Sequence, residues 1–210
     1  MPIEQRELAV RKLFGFKDTV PDLIAAANHP RLLCICEKLM GESVRLVQEM
    51  ALLKPPGGGV EKPWHQDAAY FRLATPTGVI GTWTALDAAY PDNGCMHVIP
   101  GSHHAGPRPH YHDRDCQLPD DTIDRDHIVA VPLEPGGTMF FSGLLHHGTP
   151  PNASADRRRA LQFHYLTASG VESEDPAILA SLFGDRAGFA GCQGWAWGEK
   201  PRPLHLRKDF

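Results

Sequence analysis

The dispersed glycines and prolines constrain the fold of this chain more than any other feature of its sequence. There are 20 glycines and 19 prolines in 210 residues, and they recur without a fixed period. Both residue types mark turns and interrupt helices, so their distribution favours many short strands joined by turns and disfavours a helical bundle. The length is that of one domain, and an apolar share of 42% is enough for a hydrophobic core.

The hydrophobic pattern changes character near residue 43. Before it, apolar residues at helical spacing predict helices over 4–14 and on either side of His29-Pro30, with Thr19 as a cap and Gly41 as the terminator. From Ser43 the apolar residues alternate, which predicts a strand with residues 44, 46, 48, 50 and 52 on one face. Shorter strands are predicted over 79–86, 95–100, 127–131, 138–141 and 158–167, and a final helix over 176–183.

Helices followed by a run of strands predict an α+β, mainly β fold with an antiparallel barrel or jelly roll as its body. We expect a single domain over residues 1–210. It would comprise a helical lead-in over 1–42, a barrel over about 43–168, and a C-terminal helix and tail over 169–210. The long, polar, histidine-rich segment 101–126 is expected to form a loop over the barrel mouth.

Charge and composition exclude several classes of function. The net charge of −4 provides no basic surplus for nucleic acid or an anionic membrane. No uncharged stretch has the composition of a membrane span, and the first 14 residues lack the apolar core of a secretion signal. Five cysteines without a CxxC pair are typical of a reducing compartment. We therefore expect a cytoplasmic protein with a small-molecule partner, and make no prediction of its oligomeric state.

The segment Trp64-His65-Gln66-Asp67 is the sharpest candidate for a metal site. On a strand, His65 and Asp67 point to the same face and offer a nitrogen and an oxygen ligand side by side. A distant histidine would complete the two-histidine, one-carboxylate set of non-haem iron sites. His147 is the better candidate and His146 the alternative. An isolated His-x-Asp is also typical of a hydrogen-bonded surface pair.

Three consecutive arginines, residues 157–159, lead into the alternating segment 160–163. A strand that enters the core with an arginine needs an anion beside it, because a buried guanidinium is rarely left unpaired. A dicarboxylate co-substrate could supply that anion through a two-pronged contact. Exposed charges on an edge strand are the other interpretation, and it suits two of the three arginines.

A series of short motifs runs in order from about Leu46 to Tyr165. It comprises residues 53–57, 64–67 with Tyr70-Phe71, 83–87, 93–96, 99–103, and His147-Gly148 followed by Asn152, Ser154 and Arg158. The series resembles the phytanoyl-CoA dioxygenase family of Fe(II)/2-oxoglutarate-dependent oxygenases. Several motifs in the right order are more specific than any one of them.

The resemblance implies a role for each matching position. His65, Asp67 and His147 match the residues that bind Fe(II) in this family. They would therefore form both the metal site and the catalytic centre. Arg158, eleven residues after His147, matches the arginine that binds the distal carboxylate of 2-oxoglutarate.

Three further positions are implied around this co-substrate. Thr149 matches a hydroxyl-bearing residue that assists Arg158, Trp83 matches a tryptophan near the co-substrate, and Met50 is expected to line the same pocket. Lys54 falls in the family's Lys-Pro-Pro segment, although a strand-end lysine that reaches solvent explains it equally well.

The resemblance also implies a fold and a reaction. The fold would be a double-stranded β-helix, a cupin-like jelly roll with N-terminal supporting helices. The reaction would use O2, convert 2-oxoglutarate to succinate and CO2, and hydroxylate a small organic substrate. Asp67 favours hydroxylation over halogenation, because related halogenases lack this carboxylate. A cupin-like isomerase or small-molecule binder without 2-oxoglutarate chemistry is the main alternative, and a zinc hydrolase is a weaker one.

Overall fold

The computed structural model describes residues 8–16, 19–71 and 78–174. The helix expected over 176–183 lies outside the described residues. Three helices lie entirely within the described residues, namely α1 Pro21–Ala27, α2 Pro30–Met40 and α3 Ala168–Ser173, and residues 8 and 9 are also helical. Its strands are β1 Lys12–Phe14, β2 Val44–Lys54, β3 Lys62–His65, β4 Val79–Ala85, β5 Met96–Val98, β6 Tyr111–His112, β7 Cys116–Gln117, β8 Val129–Val131, β9 Thr138–Ser142, β10 His147–Thr149 and β11 Arg158–Thr167.

Two antiparallel sheets form the body of the protein. The larger has the strand order β1-β2-β11-β4-β9, the smaller has the order β3-β10-β5-β8, and β6 and β7 pair separately. Residues from both sheets, among them Trp83, Met96 and Phe141, pack into one buried cluster between them. The mainly antiparallel β architecture with few helices agrees with the prediction from the sequence.

The helix expected over residues 4–14 is present at Leu8 and Ala9, but it is wrong over residues 12–14. Residues 12–14 form the edge strand β1, in which Lys12 pairs with Leu52 and Phe14 with Met50. Three residues are too few for a periodicity to distinguish helix from strand. These residues form a strand because the edge of β2 supplies hydrogen-bond partners for their backbone.

Helices α1 and α2 pack against the outer face of the larger sheet. Ala27 and Cys36 join Phe163 and Tyr165 in a buried cluster, and the Tyr165 hydroxyl donates a 2.6 Å hydrogen bond to the Ala27 carbonyl. The predicted ends of α2 are confirmed by Pro30 at its start and by Gly41, which adopts φ 78° after its last residue. Cys34 of the same helix is exposed.

Thr19 does not cap α1. Its hydroxyl donates to the Phe16 carbonyl, and the residue before the helix is Val20, which makes no side-chain cap.

Strand β2 contains a bulge that the alternating pattern did not predict. His164 of β11 pairs with Gln48, but the next residue, Tyr165, pairs with Leu46, so Val47 is extra. The bulge reverses the side-chain alternation. As a result Gln48, Met50 and Leu52 face the cavity between the sheets, whereas Val44 and Leu46 pack towards the helices.

Segment 101–126 is more ordered than a simple loop. It contains the β6–β7 pair and short 3₁₀ turns, and its Leu118 and Ile123 form a buried cluster with Ile99. Trp64 packs against this cluster, so the segment is attached to the strand that carries His65. No helix of the described chain is long and apolar enough to cross a membrane.

Candidate functional site

Two histidines are brought together by strand pairing. In the antiparallel pair β3–β10, His147 lies directly opposite His65, and their ring centroids are 4.2 Å apart. Each ring donates its Nδ1 hydrogen to a backbone carbonyl two residues earlier, Pro63 at 2.8 Å and Leu145 at 2.9 Å. Because each Nδ1 atom is taken up by a carbonyl, the Nε2 atom of each ring is the one that can act as a metal ligand.

Asp67 completes the cluster from just beyond β3. The strand ends at His65, and Asp67 is the first residue of a 3₁₀ turn, so the two ligands do not lie on one strand as expected. Gln66 between them is extended, with φ −115° and ψ 130°, which still turns both side chains to the same side. The Oδ1 atom of Asp67 is 3.2 Å from the Nε2 of His65 and 3.6 Å from that of His147.

The electrostatics of the cluster suit a cation. Burial and the neighbouring His147 lower the pKa of His65 to about 3, so its ring is neutral near pH 7. Burial alone would raise the pKa of Asp67, but His147 and His164 hold it well below its usual range. The three residues offer two imidazole nitrogens and one ionised carboxylate, and their ligand atoms lie within 4.8 Å of one another.

His146 lies outside this cluster. Its Nε2 atom is buried without a hydrogen-bond partner among the described residues, and its backbone N–H donates to the Ser102 hydroxyl at 2.9 Å. Burial and Arg108 lower the pKa of His146 to about 4. Of the two candidate histidines, the geometry therefore brings His147 to His65 and Asp67.

Arg158 is buried on the cavity face of β11. It is 2% exposed, and its Nε and Nη1 atoms have no hydrogen-bond partner within the described chain. Its guanidinium carbon lies 5.3 Å from the centre of the Trp83 ring, and burial lowers its pKa to about 10. Thr149 and Met50 line the same cavity, so all four positions expected around the co-substrate lie together.

The next arginine along the strand points away from the cavity, as the alternation predicts. Arg159 forms a two-pronged contact with Asp87, at 2.9 Å from Nε and 2.8 Å from Nη2. Arg157 lies before the first residue of β11 and is partly exposed. The cavity-facing arginine is thus Arg158.

Lys54 does not reach solvent, and the interpretation of it as a surface strand-end lysine is wrong. Its ammonium donates to the carbonyls of Val60 at 2.9 Å, Thr149 at 3.1 Å and Pro150. These hydrogen bonds connect the end of β2 to the end of β10. Burial, and then Arg158, lower the pKa of Lys54 to about 7.

Two groups of cavity residues were not predicted. Gln162 and His164 hydrogen-bond Asp67, and they could have been found by extending the alternation of β11 from Arg158. The second group is Lys62, Tyr70 and Asp115, which line the same cavity. Lys62 donates to the Tyr70 hydroxyl and, at 2.5 Å, to the Asp115 carboxylate. Burial and Lys12 lower the pKa of Lys62 to about 8. No sequence pattern links Lys62 to Asp115.

One cavity is lined by Arg158, by the His65–Asp67–His147 cluster and by Lys62. Its volume is about 760 Å³. Cavities of roughly 300–1,000 Å³ are typical of small-molecule sites. The volume is therefore adequate for a small co-substrate and a second organic molecule at the same time.

Comparisons with known proteins point to one family. Residues 4–160 match the family model described as phytanoyl-CoA dioxygenase (PhyH). A methylphosphonate hydroxylase from Gimesia maris is 36% identical over 142 residues, which cover 65% of this chain and 50% of that protein. The chain spans about half the length of the curated relatives it matches, for example 51% and 59% of two peroxisomal phytanoyl-CoA dioxygenases.

Two solved structures are similar in fold and sequence. EvdO2 from Micromonospora carbonacea var. aurantiaca, complexed with 2-oxoglutarate, superposes with a TM-score of 0.65 at 31% identity, covering 75% of this chain and 66% of that one. The epimerase SnoN, in complex with Fe3+, alpha ketoglutarate and nogalamycin RO, gives a TM-score of 0.66 at 25% identity, with coverages of 79% and 72%. Both complexes contain 2-oxoglutarate, for which alpha ketoglutarate is a synonym.

Proposed function

The chain belongs to the phytanoyl-CoA dioxygenase family, and from this premise we propose that it is an Fe(II)- and 2-oxoglutarate-dependent dioxygenase that hydroxylates a small organic substrate. The observation that carries the proposal is the presence of two complementary sites in one cavity. A buried His65–Asp67–His147 donor set lies in the same cavity as a buried arginine whose Nε and Nη1 have no partner among the described residues.

The donor set supports iron as the metal. Two histidines and one carboxylate from one side of a metal leave positions open for co-substrate and O2, which is the arrangement of non-haem Fe(II) oxygenases. Both ring Nδ1 atoms are held by backbone carbonyls, which fixes the ligand nitrogens before any metal binds. We therefore assign His65, Asp67 and His147 as the metal ligands.

Arg158 supports a dicarboxylate co-substrate. A buried guanidinium without a counter-charge is costly, and a carboxylate matches its fork geometry with two parallel hydrogen bonds. We assign Arg158 to the distal carboxylate of 2-oxoglutarate, assisted by Thr149. The apolar surfaces of Trp83 and Met50 would exclude water from the co-substrate. Bound Fe(II) would couple O2 activation to the decarboxylation of 2-oxoglutarate.

The second group of polar residues suggests where the substrate binds. Lys62, Tyr70 and Asp115 line the cavity together with His65 and Asp67. They provide cationic, hydroxyl and anionic groups that can hold a polar molecule close to the metal. A small metabolite fits this arrangement, as does the activity named for the Gimesia maris relative.

An isomerase remains the second candidate, because SnoN is described as an epimerase. The SnoN complex also contains alpha ketoglutarate, so this candidate differs from the first in the product and shares the co-substrate. We further propose that the two sheets form a double-stranded β-helix, that residues 1–210 form one domain, and that the protein acts in the cytoplasm on small molecules.

The test is an aerobic assay of Fe(II)-loaded protein with 2-oxoglutarate and a panel of small polar metabolites. Succinate release coupled to a product that has gained one oxygen atom supports hydroxylation. Succinate release with a product of unchanged mass and inverted configuration supports the epimerase. Product formation without succinate would favour a cupin-like isomerase.

A further inference from the structure

The two carboxylate oxygens of Asp67 face different partners. Oδ1 points at the Nε2 atoms of His65 and His147, at 3.2 and 3.6 Å. Oδ2 points away from them and is 2.8 Å from the Nε2 of His164 and 3.1 Å from the amide nitrogen of Gln162. The carboxylate therefore has one side towards the metal cluster and one side held by protein.

The atoms in contact decide which group donates. The Asp67 carboxylate oxygen accepts, so His164 donates through its Nε2–H and Gln162 through its amide N–H. The Nδ1 atom of His164 is buried without a hydrogen-bond partner among the described residues. Two N–H donors thus converge on a single oxygen.

Strand β11 fixes both donors. Gln162 and His164 are two residues apart and so share its cavity face, where they are 5% and 1% exposed. The His164 ring packs edge-on against Phe71, with centroids 5.0 Å apart. Both side chains have little freedom to follow Asp67 if its carboxylate rotates.

We propose that His164 and Gln162 are positioning residues that hold Asp67 as a one-oxygen metal ligand. The proposal rests on the metal site assigned above. A carboxylate free to rotate can bind a metal through both oxygens and so occupy a position that the co-substrate or O2 needs. Two donors on Oδ2 oppose that rotation and pre-organise Oδ1 for the metal.

The test uses metal alone. Apo protein is titrated anaerobically with Co(II), and the visible absorption band of the bound ion reports both affinity and ligand geometry. His164→Phe retains a ring against Phe71 but removes the donor. Loss of an outer partner of this kind typically weakens metal binding about 10- to 100-fold, and we expect that loss with a changed band. Gln162→Leu should cause a smaller loss.

Two further variants separate positioning from stability. His164→Gln places an amide donor near the position of Nε2 and should recover most of the affinity. Phe163→Leu is the matched control, since Phe163 is buried on the opposite face of the same strand. It should lower the melting temperature and leave the Co(II) affinity of the folded protein unchanged.

Wild-type Co(II) affinity in folded His164→Phe would overturn the positioning role and leave the proposed function intact. Equal losses of affinity in His164→Phe and Phe163→Leu would also overturn it, because the effect would then be general destabilisation. Failure of the wild type to bind Co(II) would instead contradict the metal site itself, and the positioning role with it.

Discussion

His65 and His147 lie directly opposite each other on β3 and β10, and this pairing depends on the register of two short strands. A shift of one residue would turn one ring to the other face of the sheet. Gly148 allows β10 to lie close to β3 in this register. A Cβ at this position would lie only 3.0 Å from the Lys62 carbonyl oxygen on β3. The proposed metal site therefore depends on this pairing as well as on the two residues.

Removal of any one ligand should abolish metal retention. His65→Ala, Asp67→Ala and His147→Ala each leave two ligands, which hold a labile ferrous ion poorly. Iron content after gel filtration and succinate release are the measurements. His146→Ala is the control and should retain iron, because its ring lies outside the cluster. The reverse pattern for the two histidines would show that His146 is the ligand.

Arg158→Ala should weaken 2-oxoglutarate binding at least tenfold without loss of iron. Removing the partner of a buried carboxylate costs roughly 2–5 kcal/mol, and about 1.4 kcal/mol corresponds to a factor of ten. Arg158→Lys keeps the charge but loses the planar fork, so it should also bind more weakly. Titration of the iron-loaded protein with 2-oxoglutarate measures both effects.

Arg159→Ala is the matched control for this strand. Arg159 pairs with Asp87 on the opposite face, so its removal should leave 2-oxoglutarate affinity unchanged. Normal affinity in Arg158→Ala together with a loss in Arg159→Ala would mean that the co-substrate arginine has been misassigned.

Lys54 should make stability depend on pH above neutrality. Its pKa is lowered to about 7 in the folded protein, from 10.5 in the unfolded chain. Between these values the unfolded chain binds more protons, so the free energy of unfolding rises with pH, by at most about 1.4 kcal/mol per pH unit from this group. Below about pH 7 both states are protonated and the slope vanishes.

Denaturant unfolding of wild type and Lys54→Met between pH 6 and 10 measures this effect. The variant should be less stable, because it leaves three carbonyls without their donor. The stability difference in favour of the wild type should widen as the pH rises from about 7. A difference independent of pH would show that Lys54 titrates normally.

Gly81→Ala should destabilise the protein and disturb the metal site. A Cβ at residue 81 would lie 2.6 Å from the Phe141 ring, which packs against the His147 ring at 4.9 Å between centroids. Overpacking of this kind costs about 1–3 kcal/mol. Gly58→Ala is the control, because its nearest contact is an ordinary 3.6 Å. Equal melting temperatures for the two variants would contradict the prediction.

The sequence predicted the common direction of the His65 and Asp67 side chains and the arginine that faces the cavity, because local rules decide these two features. Alternation along β11 determines which arginine faces inward, and the extended Gln66 turns His65 and Asp67 to one side even though they do not share a strand. The first residue of β11 is the predicted one, because the alternating run begins there. These features need only the conformation of a few neighbouring residues.

The features that were missed depend on distant parts of the chain. Lys54 is buried because the carbonyls of Thr149 and Pro150, about 95 residues away, receive its ammonium. The bulge at Val47 exists only in the pairing of β2 with β11. The β1 strand needs the edge of β2. No local pattern contains these partners.

Anaerobic titration of Fe(II)-loaded protein with 2-oxoglutarate tests the central claim most directly. A keto acid that chelates ferrous iron produces a visible charge-transfer band, which reports the metal and the co-substrate in one spectrum. We expect the band in the wild type, its absence in Asp67→Ala, and its appearance only at much higher 2-oxoglutarate concentration in Arg158→Ala. A wild-type protein that binds iron and gives no band at any concentration would contradict the assignment as a 2-oxoglutarate-dependent oxygenase.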